Sequence, residues 1–175
     1  NYEDATDTYT LKVTPKQVTV KADDKTKVYG EEDPALTATV EGTLNDDTVS
    51  YELNRDPGEA VGGYTIHATG DAEQGNYEVT YEAGTLTITK AQTLTVTGYD
   101  YEGTYDGDAH GMAATASVEE GTTLSYSYEQ DGETVTTTAY PQITNVGEIE
   151  VTVTASNPNY EDATDTYTLK VTPKQ

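Results

Sequence analysis

The sequence contains no cysteine, no tryptophan and no phenylalanine, and only one methionine in 175 residues. Without cysteine there is neither a disulfide framework nor a thiolate metal site. No run of 18 apolar residues occurs, which excludes a transmembrane helix. Basic residues are scarce: nine Lys and Arg stand against 32 Asp and Glu, for a net charge of -23. Phosphate recognition needs clustered Lys and Arg, so nucleic acid and anionic membrane surfaces are excluded as partners. The excess charge suits solubility and mutual repulsion in a crowded array. No Asn-x-Ser/Thr sequon is present. Together with the missing cysteines, this leans toward a bacterial surface protein rather than a secreted eukaryotic module.

Apolar residues make up 34 % of the chain, and 15 tyrosines supply all of its aromatic rings. A core must therefore be built from Val, Leu, Ile, Ala and Tyr. Tyr suits thin cores, because its ring is buried while its hydroxyl reaches water or a backbone group. So limited a supply fills two small cores better than one large one.

Repeats organise the chain. Asn1–Gln17 (NYEDATDTYTLKVTPKQ) recurs unchanged as Asn159–Gln175, an offset of 158 residues. An identical match of this length points to recent tandem duplication. An older repeat lies within. Asn76–Gln92 (NYEVTYEAGTLTITKAQ) aligns without gaps to Asn159–Gln175, and Val61-Gly62-Gly63-Tyr64 matches Val146-Gly147-Glu148-Ile149. Upstream, Val28-Tyr29-Gly30 corresponds to Thr104-Tyr105-Asp106-Gly107. The expected organisation is residues 1–17 as the terminal strand of a preceding repeat, module A at 18–91 and module B at 92–175. On this reading the chain starts mid-module, and any leader or anchor lies outside it.

Polar and apolar residues alternate in Thr85–Thr89, Thr93–Thr97, Leu11–Val13 and Val18–Lys21, which predicts strands buried on one face. Turn signals separate them, among them Asp33-Pro34, Asn45-Asp46-Asp47, Asp56-Pro57-Gly58, Asp106-Gly107 and Asn157-Pro158. The expected fold class is all-β: two tandem, small immunoglobulin-like β-sandwich modules in an extended arrangement. The alternative is a pair of β-grasp-like modules, which would need a helix that no segment supplies. Tyr64, at the entry to the penultimate strand of module A, is placed to pin a corner through its hydroxyl; module B has Ile149 there.

Several of these segments carry a family resemblance. Lys25–Leu36 (KTKVYGEEDPAL), Val61–Tyr64, Gly75-Asn76-Tyr77 and Gly84–Ile88 resemble the MBG repeat (YGX type) of large bacterial cell-surface adhesins. Module B is similar to a related repeat with Tyr105-Asp106-Gly107 in place of the YG pair. The resemblance implies extracellular placement, tandem architecture and no catalytic residues. Cell-wall anchoring would come through regions outside this segment.

Candidate chemistry is sparse. Tyr29-Gly30 and Tyr105-Asp106-Gly107 read as turns in which Gly supplies positive φ; an exposed Tyr could instead stack on a sugar. His67 and His110 have no Cys partner and no metal-ligand spacing, and His67 is expected to face solvent. No nucleophile with an adjacent base is recognisable. Carboxylates that could attract calcium are Asp23-Asp24, Asn45-Asp46-Asp47, Asp106 with Asp108, and Glu161-Asp162 with Asp165. None has the twelve-residue loop spacing. An internal amide crosslink would need a buried Lys; of Lys12, Lys90 and Lys170, alternation points Lys12 and Lys170 outward. The expectation is therefore no catalytic, cofactor or metal site and no enzyme. The expected role is a stalk that projects a distal binding region. Alternatives are a multivalent binder of mucin-type glycans or host protein, and a homotypic fibre-forming module. The expected partners are neighbouring repeats, host glycans or another copy of the chain, with no membrane insertion in this segment.

Overall fold

In a computed structural model of the chain, which describes residues 2–175, alternation in the sequence becomes alternation in burial. Eight strands come from residues 16–89: β1 (Lys16–Ala22), β2 (Lys25–Val28), β3 (Ala38–Glu41), β4 (Glu52–Arg55), β5 (Gly62–Thr69), β6 (Glu73–Gln74), β7 (Tyr77–Glu82) and β8 (Gly84–Thr89). They form two four-stranded sheets, ordered β3-β1-β7-β6 and β2-β8-β5-β4. In β8 the odd and even positions are cleanly sorted: Leu86 and Ile88 are buried, while Thr85, Thr87 and Thr89 are exposed. Val18, Val20 and Ala22 of β1, Ile66 and Ala68 of β5 and Tyr77 and Val79 of β7 are likewise buried. Each fully buried Val, Leu or Ile contributes about 1.5–3 kcal/mol relative to exposure.

Seven further strands follow: β9 (Val96–Thr97), β10 (Tyr101–Thr104), β11 (Thr115–Ala116), β12 (Thr123–Gln130), β13 (Glu133–Thr137), β14 (Gly147–Asn157) and β15 (Tyr160–Thr172). Five pair in the order β10-β15-β14-β12-β13, and β9 pairs with β11. Strand β15 is internal to its sheet. It runs antiparallel to β14, with Ile149 opposite Leu169 and Val151 opposite Tyr167, and parallel to β10, with Tyr101 opposite Leu169. One cluster joins Leu94, Val96, Tyr126, Val151, Val153, Tyr167, Leu169 and Val171. Leu169 and Val171 thus hold the inward places that Leu86 and Ile88 hold in β8, as the internal repeat predicts.

The fold class is all-β, as expected. Among the described residues there is no helix, which removes the β-grasp alternative. Among the described residues no helix is long and apolar enough to cross a membrane. Compactness divides the chain into two units. Asn1–Thr26, Asp33–Gly58 and Gly63–Thr87 form the first; Lys27–Glu32, Glu59–Gly62 and Ile88–Gln175 form the second.

Two expectations need correction. Leu11–Val13 does not form a strand: residues 2–15 have no regular secondary structure, and Tyr9, Leu11 and Val13 are 80 %, 85 % and 94 % exposed. A strand exists only through its neighbours' hydrogen bonds, and alternation alone supplies no neighbour. In Thr93–Thr97, Leu94 and Val96 do alternate inward, but only Val96 and Thr97 pair as a strand.

Candidate functional site

The two tyrosine–glycine turns are built alike. Tyr29 follows β2 and donates its backbone N–H to the carbonyl of Thr89, at the end of β8, at 2.8 Å. Tyr105 follows β10 and donates to the carbonyl of Thr172, at the end of β15, at 2.9 Å. The glycines have φ of +85° at Gly30 and +90° at Gly107, a region that a side chain disfavours. The turn reading of both motifs therefore has a backbone basis.

The first turn is tightened by Lys27, whose side chain is buried. Its ammonium donates to the Glu31 carbonyl at 3.2 Å and pairs with Glu59 Oε2 at 2.5 Å. Within the second unit, the Tyr29 ring stands edge-on to Tyr160 with centroids 5.4 Å apart. There too the Val61 N–H donates to Asn159 Oδ1 at 3.0 Å. The buried lysine escaped sequence reasoning, which weighed Lys12, Lys90 and Lys170. Lys12 is exposed, Lys90 is half-buried and Lys170 reaches Glu148 at 3.5 Å. The available signal was the alternation of Lys25-Thr26-Lys27, which puts Lys27 on the inward phase of β2.

The second turn carries more polar chemistry. Asp106 Oδ1 accepts the Asp108 N–H at 2.9 Å, an Asx turn. His110 Nε2 lies 2.9 and 3.0 Å from the two Asp106 carboxylate oxygens. The imidazole also stacks on Tyr101, with centroids 4.3 Å apart and planes 9° from parallel. The His110 bond, then the Asp108 amide, holds the Asp106 carboxyl below the usual carboxylate range. Burial, then the Asp106 charge, raises the Tyr101 phenol. A groove of about 260 Å³ lies here, lined by Tyr99, Tyr101, His110 and Met112 among others. Tyr99 Oη sits 2.8 Å from Thr115 Oγ1, and Met112 is exposed. The four-residue spacing of Asp106 and His110 after the turn was the sequence signal for this cluster.

Four of the other candidate carboxylates, Asp23, Asp24, Asp47 and Asp165, accept local hydrogen bonds. Asp23 accepts from the Thr37 and Thr39 hydroxyls at 2.6 and 2.8 Å, and these bonds, Thr37 first, lower its pKa. Asp24 accepts the Thr85 N–H at 2.8 Å. Asn45 and Asp46 both have positive φ, and Asp47 accepts from the Tyr77 hydroxyl at 2.6 Å. Asp165 accepts the Gly98 N–H at 2.8 Å, while Glu161 and Asp162 are exposed. Among the described residues, no three His, Asp or Glu side chains converge as a metal would require. His67 is half-exposed and lies 2.9 Å from Asp56 Oδ1, and that bond leads in lowering the Asp56 pKa. On β5, Tyr64 carries the Arg55 guanidinium over its ring at 5.6 Å, a cation–π contact.

Comparison with solved structures finds "Tandem Ig repeats of Dlar" at 16 % identity, covering 92 % of this chain and 100 % of that one, with a TM-score of 0.32. Drosophila N-cadherin EC1-4 is similar at 11 % identity, covering 91 % and 51 %, with a TM-score of 0.35. Mouse cadherin-23 EC22-24 is similar at 15 % identity, covering 91 % and 65 %, with a TM-score of 0.29. No curated protein matches the chain in sequence. Residues 18–87 match the family model of the MBG domain (YGX type), the family whose motifs this segment carries.

Proposed function

We propose that the chain is a non-catalytic, extracellular tandem-repeat segment of a bacterial surface adhesin, serving as a stalk that projects a distal binding region. The observation that carries this reading is the unchanged recurrence of residues 1–17 as residues 159–175. Duplication of a whole 158-residue unit adds length without adding a new kind of surface, which is what a spacer requires. On this reading residues 1–17 close a preceding module B, and modules A and B occupy 18–91 and 92–175. The motifs at Tyr29-Gly30 and Gly75-Asn76-Tyr77 support extracellular placement through the family they match. Wall anchoring belongs to other parts of the protein. The test is small-angle scattering on concatemers of one, two and three 158-residue units. The maximum dimension should grow by a constant increment per unit. Growth as the cube root of mass would overturn the reading.

A second reading, multivalent glycan binding, is favoured by the Tyr99–Tyr101–His110 groove. Aromatic faces beside a carboxylate suit a sugar's apolar face and its hydroxyls. Chemical-shift changes confined to these residues on adding mucin-type oligosaccharides, and lost in His110→Ala, would favour it over the stalk alone.

A further inference from the structure

The chain contains two Asp–Pro peptide bonds, Asp33–Pro34 and Asp56–Pro57. Such a bond carries its own nucleophile: the aspartate oxygen reaches the adjacent carbonyl carbon through a five-membered ring, and the proline nitrogen leaves as a basic secondary amine. The two bonds have opposite surroundings in the first unit. We infer that Asp56–Pro57 is a self-cleavage site, at which the Asp56 carboxylate attacks its own main-chain carbonyl, and that Asp33 belongs to the frame that holds this site.

Arg55, the last residue of β4, is the centre of that frame. Its side chain is only 12 % exposed. Asp33, from the loop between β2 and β3, grips it as a fork, with Nε donating to Oδ2 at 2.6 Å and Nη2 to Oδ1 at 3.1 Å. The Tyr64 ring lies under the guanidinium. Held in this way, Nη1 donates to two carbonyls, that of Asp56 at 2.9 Å and that of Gly58 at 2.7 Å. The first is the carbonyl of the bond to be broken. Attack turns its oxygen into an oxyanion, and a fixed cationic donor already points at it. The second bond holds the leaving side. Gly58 has a φ of +141°, and a Cβ there would lie 2.2 Å from Tyr64 Cε1, so the Tyr64 ring packs directly on the segment after Pro57.

The nucleophile is held as well. The Asp56 N–H donates to the Thr65 carbonyl at 3.0 Å, which ties the residue to β5. His67, also on β5, brings Nε2 to 2.9 Å from Asp56 Oδ1. The bond to His67, helped by Thr65, holds the carboxyl below the usual carboxylate range. Asp56 therefore stays ionised into mildly acidic pH, where an imidazole has a proton to give. The charged groups set around the bond are Arg55 from β4, Asp33 from the preceding loop and His67 from β5. Asp33 lacks this arrangement, because the guanidinium engages both of its oxygens.

In the first step a bond forms between Asp56 Oδ2 and the Asp56 carbonyl carbon, and the bond from that carbon to the Pro57 nitrogen breaks. The electron pair goes to the nitrogen, which takes a proton from the His67 imidazolium, and a cyclic aspartic anhydride remains. In the second step water opens the anhydride to two carboxylates. The Asp56 side chain is 52 % exposed, so water reaches it. The net reaction is hydrolysis of one peptide bond with water as the sole co-reactant. It happens once per chain and is no turnover of an external substrate. The cut leaves β4 paired with β5 and β1 paired with β7, so the two fragments stay together until the unit is denatured. The proposal does not depend on the stalk reading.

The test is incubation of the full chain at pH about 5, between the ordinary carboxylate and imidazole ranges, read by mass spectrometry after denaturation. Fragments 1–56 and 57–175 should accumulate while Asp33–Pro34 stays intact, and native size-exclusion chromatography should show no change. Asp56→Ala should abolish the cut. His67→Ala, at a half-exposed position, should slow it about 10²-fold. Added hydroxylamine should be captured as a hydroxamate on the fragment that ends in Asp56, the mark of the anhydride. In urea, where the frame is lost, the two Asp–Pro bonds should break at similar, slower rates. Cleavage at Asp56–Pro57 no faster in the folded chain than in urea would overturn the inference, as would equal cleavage of both bonds in the folded chain. So would a cut that persists in Asp56→Ala, an unchanged rate in His67→Ala, or the absence of the hydroxamate.

Discussion

Two buried tyrosines of the second unit should respond in opposite directions to the same loss of a hydroxyl. Tyr126 and Tyr167 both lie in the core cluster, 2 % and 3 % exposed. The Tyr126 hydroxyl accepts the Ala114 N–H at 3.0 Å. The Tyr167 hydroxyl is buried without a partner among the described groups. A buried polar group left unpaired costs about 1–3 kcal/mol, whereas a satisfied one contributes about 0.5–1.5 kcal/mol net. Tyr167→Phe should therefore stabilise by about 1 kcal/mol, after allowance for the small void the oxygen leaves. Tyr126→Phe orphans the Ala114 N–H and should destabilise by about 1–3 kcal/mol. For a domain of this size, 1 kcal/mol is about 4–8 °C in Tm. Scanning calorimetry at neutral pH resolves both shifts. Titration adds an independent check. Burial, then the neighbouring Tyr126, pushes the Tyr167 phenol up to about 12, against about 10 in the unfolded chain. Between those values the unfolded state binds fewer protons, so stability falls as pH rises. The contribution is fully present below pH about 10 and is lost as pH climbs through about 12. Tyr167→Phe should remove that part of the alkaline slope. Destabilisation by Tyr167→Phe, or shifts of the same sign in both variants, would refute the reasoning.

Gly98→Ala should cost at least about 1–3 kcal/mol by overpacking, because the new Cβ meets the Tyr167 ring at 2.1 Å; urea unfolding checks it, and a silent substitution would mean the ring has room. Asp23, Asp56 and Asp106 are held below the usual carboxylate range by their hydrogen bonds to Thr37, His67 and His110. Their stabilisation is present above that range and fades as pH falls through their depressed midpoints; carboxyl NMR titration should place all three below 3.8. Chelation with EDTA should leave Tm within a few degrees, and a large loss reversed by calcium would show that an ion stabilises the folded state by mass action.

What the sequence discloses depends on how local the cause is. The phase of β8 was readable from Gly84–Thr89 because every second residue is apolar, and a one-residue slip would have exposed Leu86 and Ile88 together. The inward places of Tyr167, Leu169 and Val171 were readable for the same reason, and the alignment of β8 with β15 carried the reading from one copy of the sequence repeat to the other. The clusters were less visible. The Asp106–His110 bond follows from four-residue spacing after a turn, but the Tyr101 ring joins it only because Tyr101 and His110 lie close in the folded structure. Lys27 is buried because Glu59, 32 residues away, supplies a charge partner at 2.5 Å. Residues 1–17 show the limit most sharply. Their composition and alternation equal those of residues 159–175, yet residues 160–172 form β15, paired with β14 and over Leu169–Thr172 also with β10, while residues 2–15 have no regular secondary structure. No property computed along the sequence can distinguish two identical strings. The difference lies wholly in β10 and β14, which flank one copy and not the other. Strand formation in this chain is therefore conferred by the slot.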